Sequence, residues 1–181
     1  MPALCEETAA LLRAQRRYAG IAIEVLTEGS PPPLLTDPNG VKQILLNLLL
    51  NAADALVGRD GDSRIRVVVG AVAQQVRTGE ERDSAGLRRR LDTLECRVED
   101  NGPGVAAEDR ERIFDPFFST KSPGEGTGLG LSNALRLAEE LGGSVELEAS
   151  GDGPGAVFAL RLPAVAAPWE AAEAGEPRGG G

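Results

Sequence analysis

The sequence predicts an α/β two-layer sandwich, an α+β arrangement in which a mixed, mostly antiparallel sheet of about five strands carries three main helices on one face. Short alternating runs typical of strands outnumber the longer runs with helical spacing, and the two kinds do not alternate regularly along the chain. Regular alternation would favour a doubly wound sheet instead. The chain has 181 residues, of which 41% are hydrophobic, and this suffices for one globular domain with a packed core.

The first half of the chain contains two helical patterns and one strand pattern. Apolar residues at helical spacing predict an amphipathic helix over 3–18, and an alternating run predicts a strand over 21–26. Asp37 followed by Pro38 is typical of a helix start, and we expect the helix to run over 38–56. Its buried stripe is expected to consist of Val41, Ile44, Leu45, Leu48, Leu49, Ala52 and Leu56.

The second half contains most of the predicted sheet. Strands are expected over 64–72, 94–99, 144–149 and 156–162, a short helical piece over 107–113 and a helix over 129–141. Residues 74–92 are polar and of mixed charge, and they are either a solvated hairpin extension or a partner-binding element. The predicted domain covers 1–163, and the Ala, Glu, Pro and Gly of 164–181 predict a disordered tail.

Composition argues against several classes of function. Nineteen basic and 28 acidic residues give a net charge of −9, which disfavours nucleic acid and anionic lipid as partners. The chain has no histidine, so it offers no histidine-based nucleophile pair and no histidine to accept a phosphoryl group. Cys5 and Cys96 lack a CxxC spacing, so a protein metal cage is not expected. No membrane-spanning run or signal peptide is evident, and we expect a cytoplasmic protein without direct membrane contact.

Three polar residues share one face of the helix over 38–56. Asn47, Asn51 and Asp54 are spaced i, i+4 and i+7, beside the leucine stripe. They are either surface residues at the rim of the helix or oxygen ligands for a hard cation such as magnesium, which is commonly shared with substrate phosphates.

Two glycine-rich segments follow predicted elements. Asp100 ends an apolar strand and precedes Gly102 and Gly104, which is either an ordinary turn or a place where backbone approaches a ligand. Residues 124–130 open a helix, and exposed amides at a helix N-terminus attract phosphate; a generic flexible loop is the alternative. The spacing matches neither of the familiar dinucleotide and P-loop patterns.

The order of these segments resembles the nucleotide-binding domain shared by gyrase, heat-shock chaperone ATPases, mismatch-repair ATPases and histidine kinases, the GHKL superfamily. Within it, the sequence is most similar to the catalytic ATP-binding domain of bacterial two-component histidine kinases. The matching stretches are 47–52 for the N box, 100–104 for the first glycine box, 113–121 for the F box and 126–132 for the second glycine box. The resemblance spans about residues 4–162.

The resemblance implies an ATP and Mg2+ site. Asp100 would accept the adenine amino hydrogen, which selects adenine over guanine, and Gly102 and Gly104 would let the base lie against backbone. Asn51 would hold the magnesium ion that bridges the phosphates, with Asn47 nearby. The implied catalytic residues are Asn47, Asn51 and Lys121, and further nucleotide contacts are implied for Asp54, Phe114, Thr120, Thr127, Gly128, Leu129, Gly130 and Leu131.

The same resemblance implies a mobile lid over 119–127. Phe114, Phe117 and Phe118 would anchor it, and Gly128 and Gly130 would bring the amides of the next helix onto the phosphates.

Two positions depart from relatives in the superfamily. The gyrase and chaperone branches carry a water-activating glutamate where this chain has Asn47, so net ATP hydrolysis should be slow. Many histidine kinases carry a cation where this chain has Asp54, which leaves Lys121 as the best phosphate-side cation.

We therefore expect a protein histidine kinase domain that transfers the ATP γ-phosphoryl group to a histidine on another segment or chain. The implied partners are a histidine-bearing dimerisation segment, in cis or in trans, and a downstream response regulator. The alternatives are a non-catalytic ATP-binding regulatory module and an anti-sigma-factor-like serine kinase; gyrase-like ATPase activity is disfavoured by Asn47.

Overall fold

A computed structural model describes residues 1–59, 61–73, 92–121, 127–148 and 155–164. Within them lie three α-helices, α1 (Pro2–Arg13), α2 (Pro38–Leu56) and α3 (Gly130–Glu140). The strands are β1 (Ile21–Thr27), β2 (Ser63–Ala73), β3 (Asp92–Asp100), β4 (Ser144–Glu148) and β5 (Val157–Pro163). A 3-10 helix, Arg16–Tyr18, joins α1 to β1.

The strands form one sheet in the order β1-β2-β3-β5-β4. β1 pairs with β2 in parallel, and the other three pairings are antiparallel. The predicted mixed, mostly antiparallel sheet is therefore confirmed. β3 lies at its centre and ends at Asp100, opposite Ile65 of β2.

The core lies between one face of the sheet and the three helices. Alternate residues of the two central strands point into it: Ile65, Val67 and Val69 of β2, and Leu94, Cys96 and Val98 of β3. The whole predicted stripe of α2 is buried there. Asp37 caps this helix by accepting hydrogen bonds from the amides of Asn39 and Gly40. α2 packs against both α1 and α3, so the helix bearing the asparagines lies at the middle of the helical layer.

The two cysteines meet inside this core. Cys5 of α1 and Cys96 of β3 are both fully buried, and their Sγ atoms are 3.9 Å apart. Both are free thiols. Residues separated by 91 positions in sequence thus hold the first helix against the central strand.

Two helix predictions were wrong in extent. The first helix ends at Arg13 rather than near residue 18, because Gln15 adopts an extended conformation before the 3-10 helix. Residues 107–113 form consecutive turns, with the amide of Ile113 bonded to the carbonyl of Asp109, rather than a continuous helix. The predicted linker interior (74–91), the turn near 151–154 and most of the tail (165–181) lie outside the described residues. Ala164, placed at the start of that tail, is buried. No helix in the described ranges is both long and apolar enough to cross a membrane.

Candidate nucleotide site

Asp100 is held at the end of the central strand by hydrogen bonds to one of its two carboxylate oxygens. The amide of Gly102 donates to Oδ1 at 2.8 Å, and the amide of Ala156 donates to the same atom at 3.3 Å. Across residues 1–59, 61–73, 92–121, 127–148 and 155–164, no group bonds to Oδ2. The carboxylate is therefore oriented by backbone and keeps one oxygen for a ligand.

Burial raises the pKa of Asp100 above its ordinary value, while the amides of Gly102 and Ala156 and the charge of Arg59 oppose this change. A carboxylate with a raised pKa at a strand end is typical of a binding site.

The neighbouring Asn101 has a structural role instead. Its side chain accepts from the amide of Arg64 at 2.8 Å and donates to the carbonyl of Asp62 at 2.8 Å, which fixes the start of β2 beside the end of β3.

Gly102 lies where a side chain would not fit. A Cβ built on it would be 2.6 Å from Oδ1 of Asp100 and 3.5 Å from Cβ of Ala55. The first glycine segment therefore approaches the C-terminal part of α2, next to the helix face that carries Asn51 and Asp54. Gly104 has φ +76° and faces the carbonyl of Gly155, so the second glycine of this segment turns the chain toward the β5 end of the sheet.

Two of the three asparagines of α2, Asn47 and Asn51, lie half-buried on its polar face. Nδ2 of Asn47 is buried and has no hydrogen-bond partner among the described residues. Asn51, one turn further along the helix, likewise makes no side-chain hydrogen bond to any part of the chain that the structure describes. The buried, unpaired Nδ2 of Asn47 is costly beside a leucine core unless a ligand or water completes its hydrogen bonds.

Asp54 joins three segments of the chain. Its Oδ1 accepts from the hydroxyl of Tyr18 at 2.9 Å and lies 3.1 Å from the guanidinium of Arg17. Its Oδ2 accepts from Nζ of Lys121 at 2.7 Å. Lys121, predicted as the phosphate-side cation, is thus brought next to the helix that carries Asn51.

The phenylalanines of the predicted lid anchor differ in placement. Phe114 and Phe118 pack against the core, and the Phe114 ring meets Phe158 edge-on with centroids 6.4 Å apart. Phe117 is 76% exposed and has φ 67°, so it does not pack as an anchor. Its backbone pairs with Gly128 instead, with the amide of Phe117 donating to the carbonyl of Gly128 at 2.9 Å. A Cβ on Gly128 would be 2.4 Å from the Phe117 carbonyl carbon, so only glycine allows this contact.

The second glycine segment enters α3 without a side-chain cap. Leu129 is the N-cap residue, and its apolar side chain makes no capping hydrogen bond. Thr127 lies two residues earlier and accepts from the amide of Leu129 at 3.4 Å. Gly130 is the first helical residue, and Leu131 packs against the core. Thr120 is exposed. Residues 122–126 of the predicted lid lie outside the described ranges.

Sequence reasoning missed four residues of this site. Tyr18 and Arg17 contact Asp54, Ala156 orients Asp100, and Arg59 donates to the carbonyl of Asn101 at 2.8 Å. Tyr18 was placed at the end of a continuous helix, and the break at Gln15 had no glycine or proline to indicate it. Ala156 acts through its backbone, so its side chain carried no signal.

The opposite face of the sheet carries charges that pair with one another. Arg97 lies 3.3 to 3.6 Å from carboxylate oxygens of Glu28, Glu95 and Glu99. Arg161 contacts Glu95 at 2.7 Å. The two arginines are therefore paired with carboxylates of the same face.

Comparison with known proteins identifies the family of the chain. The family described as histidine kinase-, DNA gyrase B- and HSP90-like ATPase matches residues 36–166. The two-component sensor PprA of Pseudomonas aeruginosa is 44% identical over 131 residues, which cover 72% of this chain and 12% of that protein. The histidine kinase AtoS of Escherichia coli is 34% identical over 161 residues, which cover 89% of this chain and 23% of that protein. The chain therefore spans less than a quarter of the length of these relatives.

Solved structures show the same fold. The nucleotide-free catalytic domain of the histidine kinase ThkA matches with a TM-score of 0.66 and 27% identity, covering 89% of this chain and 90% of that one. Full-length ShkA in complex with AMPPNP matches with a TM-score of 0.65 and 30% identity, covering 94% of this chain and 32% of that one. Together with the family match to residues 36–166, these similarities show that the chain belongs to the histidine kinase-, DNA gyrase B- and HSP90-like ATPase family and carries the ATP-binding catalytic domain of its sensor histidine kinase branch.

Proposed function

We propose that this domain binds ATP with Mg2+ and transfers the γ-phosphoryl group to a histidine outside this sequence. The relatives it matches are named sensor histidine kinases and two-component sensors, and the 181 residues contain no histidine. The acceptor would then lie on a histidine-bearing segment, in cis or in trans, and a response regulator would receive the group next.

The orientation of Asp100 is the observation that carries the nucleotide assignment. Because Oδ1 is engaged by the amides of Gly102 and Ala156, Oδ2 is the oxygen left to accept the exocyclic amino hydrogen of adenine. Guanine has a carbonyl oxygen at that position, and it would meet the carboxylate as a second acceptor. Adenine selectivity follows from this one charge-assisted bond. ATP would therefore be preferred to GTP.

The residues present fit a magnesium ion shared with phosphates. Asn51 offers a neutral oxygen ligand, and the buried, unpaired Nδ2 of Asn47 is available to donate to a phosphate oxygen or a metal-bound water. A bound Mg2+ would neutralise the charge that develops on the phosphoryl oxygens during transfer. We assign Asn51 as the protein ligand of this Mg2+ ion, with Asn47 beside it.

The chain's own groups supply positioning without a base. The first amides of α3, whose N-cap residue Leu129 has no capping side chain, would face the phosphates, with Lys121 as the cation. Asn47 cannot remove a proton from water, so the site would hold ATP with little hydrolysis until an acceptor histidine arrives. Positioning and charge neutralisation then account for transfer.

The test is transfer of label from γ-labelled ATP with magnesium into proteins of a lysate from the source cells, followed by acid and alkali treatment. Phosphohistidine is lost in acid and survives alkali, whereas phosphoserine shows the reverse. We expect acid-labile product with this protein and none with the Asn51→Ala variant.

Two results would contradict the proposal in different ways. Acid-stable product would instead support the anti-sigma-factor-like serine kinase. Tight ATP binding with no labelled product, even when a relative's purified histidine-bearing segment is added, would support a nucleotide-sensing module.

A further inference from the structure

The carboxylate of Asp54 is the meeting point of three segments that are distant in sequence. Tyr18 follows α1, Asp54 belongs to α2, and Lys121 follows the phenylalanine-rich segment. Tyr18 and Arg17 share Oδ1, at 2.9 and 3.1 Å, and Lys121 has Oδ2 at 2.7 Å. Both oxygens of the carboxylate are therefore occupied by donors from outside its own helix.

Asp54 places a negative charge beside the site proposed for the phosphates of ATP. It lies three residues after Asn51 on the same helix face. A carboxylate there would repel a polyanion if it stood alone. Arg17 and Lys121 provide two cations against one carboxylate, so the cluster has an excess of one positive charge. The carboxylate is thus compensated, and the cluster as a whole attracts phosphate.

Both cations of the cluster are accessible to a ligand, and Lys121 is the one that contacts Oδ2 of Asp54. The side chain of Lys121 is 30% exposed and that of Arg17 is 53% exposed, whereas that of Asp54 is 15% exposed. An ammonium group has three N–H donors, and in the described residues only Asp54 takes one of them. The other two remain for phosphate oxygens. Tyr18, by contrast, is buried, with 4% exposure.

We propose that Asp54 is a positioning residue that holds Lys121 in place as the cation for the ATP phosphates, and that Tyr18 and Arg17 in turn fix Asp54. The segment after α1 therefore sets the position of a phosphate-binding lysine through one shared carboxylate. This inference rests on the proposed ATP site, and it assigns Asp54 to Lys121 rather than to direct nucleotide contact.

The test compares binding of ATP and of AMP by calorimetry, because AMP keeps the adenine and lacks the terminal phosphates. Lys121→Ala should weaken ATP binding by about tenfold and leave AMP binding unchanged. Asp54→Asn should weaken ATP binding by about fivefold, although it removes a negative charge beside a polyanion. Charge alone predicts the opposite direction. Tyr18→Phe, which deletes one hydroxyl, should weaken it by about twofold, and Asp54→Glu, which restores the anion, should recover part of the loss.

A double variant separates positioning from other effects. If Asp54 acts through Lys121, adding Asp54→Asn to Lys121→Ala should cost no further ATP affinity. The matched controls are Lys42→Ala and Glu7→Gln. Lys42 is the other lysine of the chain. It lies on α2, as Asp54 does, and it pairs with Glu7 at 3.4 Å on the exposed surface. These controls make the same charge changes and should leave ATP and AMP binding unchanged.

The inference is overturned if Asp54→Asn tightens ATP binding, or if it lowers ATP affinity equally in the presence and absence of Lys121. Equal losses for ATP and AMP in a folded variant would also overturn it, because they would indicate a structural role for Asp54. Failure of the underlying ATP site gives a different pattern, in which the unaltered protein itself binds neither ATP nor AMP.

Discussion

The amide of Gly102 donates a hydrogen bond of 2.8 Å to Oδ1 of Asp100, two residues earlier in the chain. This bond, with the longer one from Ala156, decides which carboxylate oxygen faces a ligand. The glycine is required on steric grounds as well, because its missing Cβ would be 2.6 Å from the oxygen that it orients. The proposed recognition of adenine would thus depend on the backbone of the glycine segment as much as on the acid.

Gly102→Ala should move the Asp100 carboxylate, because the new Cβ would lie too close to its Oδ1. The added methyl group would lie 2.6 Å from Oδ1 of Asp100 and must displace that carboxylate, so we expect a loss of roughly 1–3 kcal/mol in the free energy of unfolding and a loss of about tenfold in ATP affinity. Chemical denaturation and calorimetry measure the two quantities. Gly20→Ala is the control, since a Cβ there meets nothing within 4 Å. A Gly102→Ala protein that binds ATP normally would show that this close approach is unimportant.

The raised pKa of Asp100 predicts a pH-dependent difference in stability. The folded state holds the Asp100 proton more tightly than the unfolded state, so this group's contribution to stability is greatest below its unfolded pKa. It falls as the pH rises through the raised folded pKa. The amide that replaces the carboxylate in an Asp100→Asn protein does not titrate, and its oxygen can still accept from Gly102 and Ala156. The stability of the variant relative to the parent should therefore increase between about pH 4 and pH 7.

Denaturant unfolding of the parent and the Asp100→Asn protein over this pH range measures the difference in their stability. The contributions of the other carboxylates are common to both proteins and cancel in that difference. A difference that is constant with pH, or that falls as the pH rises, would refute the effect of burial on Asp100.

Asn51→Ala tests the magnesium ligand. We expect ATP affinity to fall by about tenfold with magnesium and to change little when EDTA is present, because only the metal-dependent part is lost. Calorimetric titration under the two conditions makes the comparison. Asn39→Ala, at the exposed first turn of the same helix, is the matched control. Equal losses with and without magnesium would remove Asn51 from the metal site.

The cysteine pair predicts slow thiol chemistry. Contact with Cys5 and burial both raise the pKa of the Cys96 thiol, and neither cysteine has any exposed surface. A thiol reagent such as Ellman's reagent should therefore react with the folded protein far more slowly than with protein in guanidinium chloride, where two thiols per chain should react. Rapid reaction of one thiol in the folded state would show that α1 opens readily from the sheet.

The helices and strands were largely predictable because their burial is periodic. The stripe from Val41 to Leu56 repeats at helical spacing, and all of it is buried as expected. For Asp100, the residues alone left an ordinary turn and a ligand contact open, and its assignment to adenine came from the resemblance to histidine kinases. The contacts of Tyr18 and Lys121 with Asp54 were not predictable, because Tyr18 is 36 residues away from Asp54 and Lys121 is 67 residues away. No local pattern encodes a contact at that separation.

Contacts between residues distant in sequence also explain why the predictions for Tyr18 and Phe117 were wrong. Tyr18 continues the helical spacing of α1, and this spacing predicts one unbroken helix. Tyr18 instead belongs to the 3-10 helix, which turns it onto Asp54. Phe117 shares its residue type with Phe114 and Phe118, but pairing of its backbone with Gly128 turns its ring to solvent.

The most direct test of the account is calorimetric titration of the Asp100→Asn protein with ATP and with GTP. Because Oδ1 must still accept from Gly102 and Ala156, the new amide NH2 takes the place of Oδ2 and presents a donor to the adenine amino group. ATP affinity should fall by about 2 to 4 kcal/mol, on the order of 30- to 1000-fold, and the preference for ATP over GTP should largely disappear. Unchanged ATP affinity with an unchanged preference over GTP would contradict adenine recognition by Asp100.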